Sequence, residues 1–416
     1  MLRYKRLNIH TTQGFAGELT RESQYVFNYR TDNPACEIAL SMPLRAQSYA
    51  ANLLPGVLRQ NLPEGYLYFW IREHFGKVAR MDDMSILAIA GRDVIGRVRC
   101  LTPDAAPDQE IPGESLEAIL TWRGTEDLFA DLARRYALAS GISGVQPKVL
   151  VPEQLAQTGK EVIDKSTIKG RRLIVKASGD DYPGLAENEY LCMSIAREAG
   201  LDVPDFWLSE SRQLFVVQRF DYDEGRYLGF EDMTSLMNRQ TDEKYTGSYE
   251  QVAKALTLFC AADQVSRSLA ELFQSVTLSV LLRNGDAHLK NFGVLYTHPH
   301  RDDCRLSPLY DVVNTTVYIP PDTLALKLHG SKVWPGREDL LRFGREHCRL
   351  DHPDEVIDRL VETAMAFRPE AESAIWRQMR PEIEKAGLLL TGLHRRPVSA
   401  HPAQPPASAA AGSASD

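Results

Sequence analysis

The run Asn284-Gly285-Asp286-Ala287-His288-Leu289-Lys290-Asn291 places a carboxylate five residues before a carboxamide. A carboxylate can orient a hydroxyl group and accept its proton as that oxygen attacks a phosphorus centre. A carboxamide oxygen at that spacing can hold a hard divalent cation beside it. The pattern lacks a second acid, and Asp311 in Leu309-Tyr310-Asp311-Val312 supplies one. It follows a strand-like run (Phe292 to Tyr296) and a polar turn. Read alone, Asn-Gly-Asp is also an ordinary helix-ending turn with a solvated carboxylate.

Two upstream segments fit the same chemistry. Leu173-Ile174-Val175-Lys176 ends an apolar strand on a lysine, the arrangement that grips nucleotide phosphates. Such a lysine needs an acidic partner on the next helix. Glu187 and Glu189 both qualify, with Glu189 favoured; the plain alternative is a lysine snorkelling from a strand end. Gly141-Ile142-Ser143-Gly144-Val145-Gln146-Pro147-Lys148 precedes a strand and has the glycines that let backbone N–H groups approach phosphate. Its spacing fits neither common nucleotide-loop pattern, so a simple turn is equally compatible. Glycine loop, strand lysine, helix acid, connector, catalytic acid and metal acid nevertheless occur in the order a kinase requires.

These side chains need a scaffold. Strand-like runs at Arg3 to Ile9, Tyr25 to Tyr29 and Glu37 to Leu40 precede a helical stretch from Tyr66 to Phe75, and Gly91 and Gly96 mark turns. A Pro/Asp/Glu-rich linker (102–115) and a helix from about Glu126 to Ala139 follow. Strands are expected at Val149 to Pro152, Arg172 to Ala177 and Leu214 to Val217, with a helix at Glu187 to Ala199 that Gly200 terminates. Leu269, Leu272, Phe273, Val276, Val280 and Leu281 form one helical face, which Asn284-Gly285 ends. The expected units are 1–105, a small first module; 106–235, an upper lobe with glycine loop and strand lysine; 236–395, a helical lower lobe; and 396–416, a Pro/Ala/Ser-rich tail too poor in large apolar residues to order itself.

Composition excludes more than it names. No run of about 20 apolar residues could span a bilayer, and no signal peptide is evident, so a cytoplasmic address is expected. The six cysteines lack a Cys-x-x-Cys pair, and His298 and His300 flank a proline in what reads as a polar turn rather than a metal site. A net charge of −8 gives no reason to expect direct nucleic-acid binding.

Six motifs together resemble the HipA family of bacterial toxin kinases: Ser143-Gly144-Val145-Gln146-Pro147-Lys148, Asn188-Glu189-Tyr190, Arg219-Phe220-Asp221, Glu231-Asp232-Met233, Gly285 through Asn291, and Pro308-Leu309-Tyr310-Asp311. Asn52-Leu53-Leu54-Pro55 and Gly91-Arg92-Asp93-Val94-Ile95-Gly96 are similar to that family's N-terminal subdomain, so the likeness covers about 1–350. The resemblance implies an α+β, protein-kinase-like two-lobed fold and a Mg2+- and ATP-dependent serine/threonine protein kinase. It implies ATP contacts from Ser143, Gly144, Val145, Gln146, Lys148, Lys176, His288 and Lys290, with Gln218 and Phe220 at the adenine connector. Asp286 would be the base, Asn291 and Asp311 the metal ligands, and Glu189 the support for Lys176. It further implies self-phosphorylation in the glycine loop, a HipB-like helix-turn-helix antitoxin linking the chain to DNA only indirectly, and a protein target such as an aminoacyl-tRNA synthetase. The sequence departs from many relatives at Gly141, where they carry serine, which leaves Ser143 as the modification candidate, with Ser140 next in line. Gln218 stands where some carry glutamate. A small-molecule phosphotransferase on the same fold and an inactive antitoxin partner are the competing readings.

Overall fold

The computed structural model describes residues 3–77, 79–105, 113–123, 128–136, 142, 146–153, 172–179, 181–223 and 225–391. Ser143, Gly144, Val145 and the 396–416 tail lie outside the described residues.

The first module is an antiparallel sheet in the order β4-β3-β2-β1-β5, from β1 (Arg6–Thr11), β2 (Gly14–Arg21), β3 (Tyr25–Tyr29), β4 (Tyr49–Ala51) and β5 (Arg99–Leu101). Burial alternates along β1, with Leu7 and Ile9 inward. Only one face is covered, by Met84 and Leu87 of the helix Asp83–Ala90. That is the period-2 signature of a half-buried strand. The strand expected at Glu37 to Leu40 does not form. Its Leu40 N–H donates to Glu231 Oε1 at 2.7 Å, and Glu37 Oε1 accepts from Leu44 N, so side chains take the bonds a ladder would use. The strand β2 was hidden because Gly14, Gly17 and Glu18 weaken its alternation.

The upper lobe contains a four-stranded antiparallel sheet, order β6-β7-β9-β8, built from β6 (Lys148–Pro152), β7 (Arg172–Ala177), β8 (Phe206–Leu208) and β9 (Leu214–Gln218). Its strands read as continuous apolar runs because both faces are buried. Val149, Val151, Leu173, Val175 and Val216 pack with Phe129, Leu132 and Tyr136 of the helix Leu128–Tyr136. Leu150, Ile174, Phe215 and Val217 face the helix Leu185–Glu198 instead. Gly200, at φ +78°, follows that helix where a left-handed backbone is needed.

A short ribbon, β10 (Tyr222–Asp223) with β11 (Arg226–Tyr227), leads to a three-stranded sheet of β12 (Gly229–Asp232), β13 (Gly293–Tyr296) and β14 (Arg305–Leu306). The lower lobe carries the long helices Tyr249–Phe259, Val265–Leu281, Arg337–Glu346, Pro353–Ala366 and Ala374–Leu390, with an irregular stretch at 307–336. Leu269, Leu272, Phe273, Val276, Val280 and Leu281 are buried on one face of Val265–Leu281, anchoring whatever follows it. The architecture is α+β and two-lobed, and the first module is tied both to the connector, through Asp93 and Arg219, and to the lower lobe, through Glu64 with Lys244 and Lys290. Among the described residues no helix is long and apolar enough to cross a membrane.

Candidate active site

Alternation along β7 decides where Lys176 points. Leu173 and Val175 enter the outer core, so Ile174 and Lys176 face the other way, toward the cleft between the lobes. The ammonium lies 2.5 Å from Glu189 Oε1 and 2.6 Å from Asp311 Oδ1, with the lysine only 6% exposed. Glu187, also buried, pairs instead with Arg212. Of the two acids on that helix, Glu189 is the one the fold brings to the lysine.

The three charges do not balance. Burial works against the Lys176 ammonium, but Asp311 and then Glu189 outweigh it and hold its pKa above the usual value. Burial would likewise raise Asp311, yet Lys176 and Lys148 hold that carboxyl well below the carboxylate range. Glu189 is left with the weaker share: burial pushes it up to about 7 against the pull of Lys176. Its Oε2 has no hydrogen-bond partner among the described residues.

Lys148 is the directly opposed partner of Lys176 across β6 and β7, and it too is buried. Burial, reinforced by Lys176, lowers its pKa, while Asp311 opposes. Like charges directly opposed across a sheet are destabilising. Two such lysines facing one cleft suit a polyanion that would sit between them.

The loop that carries Asp286 is shaped by the end of Val265–Leu281. The helix closes one turn before Asn284-Gly285: Arg283 takes a left-handed φ of 54°, and Asn284 N donates back to Ser279 O at 2.8 Å. Gly285 is required for space, since a Cβ there would meet Asp322 Oδ2 at 2.0 Å and Thr323 O at 2.7 Å. Asp286 then faces the cleft. Burial and, more weakly, the charge of Asp311 raise its carboxyl to about 6 despite a 2.5 Å hydrogen bond donated by Tyr245 Oη. A carboxylate of that basicity is ionised at neutral pH and still takes a proton readily.

His288 lies 3.9 Å from Asp286 through Nε2, and burial together with Lys244 lowers it to about 4, so it is neutral. Asn291 accepts from His288 N at 3.1 Å and donates through Nδ2 to Asp311 Oδ2 at 3.0 Å. A carboxylate and an amide are therefore in contact at the polar end of the cleft. These hard donors suit magnesium. Asp311 itself has a left-handed φ of 60°, a costly backbone for an aspartate.

The connector is held by a buried ion cluster. Arg219 Nε and Nη2 grip Asp221 at 2.9 and 2.7 Å, Nη1 reaches Asp93 at 2.7 Å, and Nη2 also donates to Val94 O. Asp221 Oδ2 accepts from Gly96 N at 2.6 Å. Two motifs more than a hundred residues apart thus interlock, and Phe220 is left stacked on Tyr310 at 4.9 Å. Gln218 lines the cleft beside it, and Gln146 sits at its edge, donating to Ala177 O at 3.3 Å.

Lys290 also lines the cleft, held there by an acid of the first module. Its Nζ donates to Glu64 Oε1 at 2.9 Å while Lys244 takes Glu64 Oε2 at 3.0 Å. Glu64, Lys244 and Tyr245 were not singled out in the sequence. They lie in segments without a motif, and only the fold joins Glu64 to partners 180 and 226 residues away.

The resulting cleft encloses about 1140 Å³. One end is apolar and aromatic, with Ile95, Ile174, Val217, Phe220, Phe230 and Tyr310; the other carries Lys148, Lys176, Asp286 and Asp311. An apolar, aromatic lining beside buried lysines and carboxylates is the mixed chemistry of a small-molecule site.

The sequence matches the HipA N-terminal domain over residues 7–101 and the HipA-like C-terminal domain over 140–368. It is 29% identical over 353 residues to the provisionally named kinase Y4dM of Sinorhizobium fredii, covering 81% of this chain and 78% of that one. A provisionally named kinase of Haemophilus influenzae is 32% identical over 192 residues, 42% of this chain and 53% of its own. Among solved structures, a chain from the Shewanella oneidensis complex of HipA, HipB and operator DNA superposes with a TM-score of 0.65 at 18% identity. That superposition covers 93% of this chain and 97% of the other, and it establishes the fold as protein-kinase-like.

Proposed function

The chain belongs to the HipA family of kinase-like proteins, and from that premise we propose that it transfers the terminal phosphoryl group of ATP to a serine or threonine hydroxyl of a protein. The observation that carries this reading is the meeting of Lys176, Glu189 and Asp311 in the cleft that Asp286 also faces.

In this mechanism the base stacks in the apolar slot near Phe220, and Lys148 and Lys176 hold the phosphates. Asn291 and Asp311 would bind Mg2+, which neutralises phosphate charge when bound. Asp286, with one oxygen fixed by Tyr245, orients the acceptor hydroxyl and takes its proton. As that O–H bond breaks, the acceptor oxygen bonds to the terminal phosphorus and the bridging P–O bond to ADP breaks. Glu189 keeps Lys176 in position. Residues 1–105, 106–235 and 236–395 act as accessory module, upper lobe and lower lobe.

The finer reading comes from the family. Ser143 is the proposed site of self-modification, where phosphate would add about −1.5 to −2 charge beside the nucleotide phosphates and oppose ATP. A HipB-like antitoxin is the proposed partner, since the similar Shewanella protein was solved with HipB and operator DNA. The proposed target is a cytoplasmic protein such as an aminoacyl-tRNA synthetase.

Intact mass and phosphopeptide mapping after incubation with Mg-ATP test this, beside Asp286→Asn. The expected result is one phosphate on Ser143, absent from the variant. If neither labels, a bacterial lysate and a panel of sugars and aminoglycosides with labelled ATP decide the acceptor. Preferential small-molecule labelling overturns the protein-kinase reading, and no labelling at all overturns catalysis.

A further inference from the structure

In the lower lobe, away from the nucleotide cleft, two imidazoles and a carboxylate converge. One ligand atom from each of Glu250, His329 and His347 lies within 4.8 Å of the other two. Three different segments bring them together. Glu250 is in the first turn of Tyr249–Phe259, a helix capped by Ser248. The chain at Lys327 runs beside that cap, with Tyr249 N donating to Lys327 O and Lys327 N to Gly247 O, both at 3.1 Å. The next residues form a hairpin turn closed by reciprocal bonds between Leu328 and Ser331. His329 and Gly330 at its tip have φ of 48° and 82°, the pattern of a type I′ turn. His347 follows the end of Arg337–Glu346, donating its N–H to Phe343 O.

The hydrogen bonding calls for a cation. His329 Nε2 lies 3.0 Å from the carbonyl oxygen of Asp339, which can only accept, so Nε2 carries the proton. The lone pair on Nδ1 then faces Glu250 Oε1 at 3.6 Å. That oxygen already accepts His329 N at 2.6 Å. Two acceptors in that relation repel unless a proton or a metal ion lies between them. Their separation is too long for a hydrogen bond. It is close to the ~3.4 Å between two ligands that each bind zinc at ~2.0–2.1 Å with tetrahedral angles. An imidazole whose far N–H is held by a backbone carbonyl is also the usual posture of a metal-ligating histidine.

We propose that Glu250, His329 and His347 form a structural site for a divalent transition-metal ion, with Zn2+ the best-matched ion and solvent in the fourth position. The ion would fasten the hairpin tip to the start of one helix and the end of another. The same hairpin runs on to Lys332, whose Nζ donates to Tyr245 O at 3.0 Å. The clamp thus steadies, at one remove, the tyrosine that contacts Asp286.

The test uses tag-free full-length protein stripped with chelator and titrated with Zn2+ in excess Mg2+, which fills hard-oxygen sites. Equilibrium dialysis with elemental analysis is expected to show about one Zn2+ per chain, as a single three-residue site allows. Zn2+ should also raise the thermal midpoint by several degrees, because it binds only the folded state. Co2+ in its place should give a visible ligand-field spectrum. His329→Asn, which tolerates the left-handed turn, and His347→Ala should each weaken Zn2+ binding by at least ~10–100-fold and remove the zinc-dependent rise. Asp311→Asn should leave zinc binding unchanged. The proposal is overturned if wild type binds no equivalent of zinc and gives no Co2+ spectrum. It is overturned equally if both histidine variants bind zinc undiminished, or if Asp311→Asn abolishes binding.

Discussion

Two buried clusters in this molecule each join one cation to two carboxylates, and they behave differently. Around Arg219 the guanidinium fork reaches Asp221 through two nitrogens, Asp93 through a third, and a carbonyl as well. Every charge finds a partner of matching geometry, which is what a planar fork allows. Around Lys176 a single ammonium serves Glu189 and Asp311, leaving Glu189 with a raised pKa and a bare oxygen. A second lysine stands opposite with its own affinity for protons depressed. The first cluster is complete without a ligand. The second becomes complete only with one, so incompleteness marks the functional site better than buried charge alone.

The comparison breaks first at activity. Asp286→Asn should lower phosphoryl transfer by roughly 10²–10⁴-fold while the denaturant midpoint holds or rises. The raised pKa means the folded state binds this proton more tightly than the unfolded chain. Asp286 therefore costs stability as pH rises through the range between its usual value and about 6, and the amide removes that cost.

In the saturated cluster the same acid-to-amide change should act in reverse. Asp221→Asn leaves Arg219 buried and underpaired, at a cost of about 3–5 kcal/mol in urea unfolding. Glu189→Gln is the matched counterpart. It keeps an oxygen for Lys176 but loosens its placement, so kcat/KM should fall roughly 10–100-fold, with no loss of unfolding free energy. A large destabilisation by Glu189→Gln would mean the two clusters are not different in kind.

The smallest effect sharpens the role of Asp286. With its carboxyl at about 6, kcat/KM should decline as pH falls through that value, because the base form is lost. Tyr245→Phe removes the hydrogen bond that holds this pKa down, so the acid limb of the profile should move to higher pH with little change on its plateau. An unmoved limb would assign that titration to another group.

Much of this arrangement was legible before any coordinates. Asp286, Asn291, Asp311, Lys176 and Glu189 announce themselves because each sits on or beside a locally readable element: a strand end, the N-terminal half of a helix, a loop after a buried helix or a polar turn after a strand. The sheet of β6, β7 and β9 was equally plain, since two-sided burial writes continuous apolar runs. What stayed hidden was non-local. Nothing near Glu64 points to Lys244 and Lys290, and Tyr245 lies in a polar stretch without periodicity. Glu37 to Leu40 looked like a strand from its residues, but its backbone donor at Leu40 is claimed by Glu231, nearly two hundred positions away.

The Arg219 cluster also bears on inheritance. Asp93 and Gly96 belong to the first module, Arg219 and Asp221 to the connector of the catalytic body, and all four meet in one buried knot. Glu64 adds a second tie by neutralising Lys244 and Lys290. Deleting the first hundred residues would take Asp93 from Arg219 and Glu64 from both Lys244 and Lys290. A segment that looks in the sequence like a detachable preface is thus electrically part of the catalytic body. A chain that lost that segment would inherit a catalytic body lacking two of its counter-charges, Asp93 and Glu64.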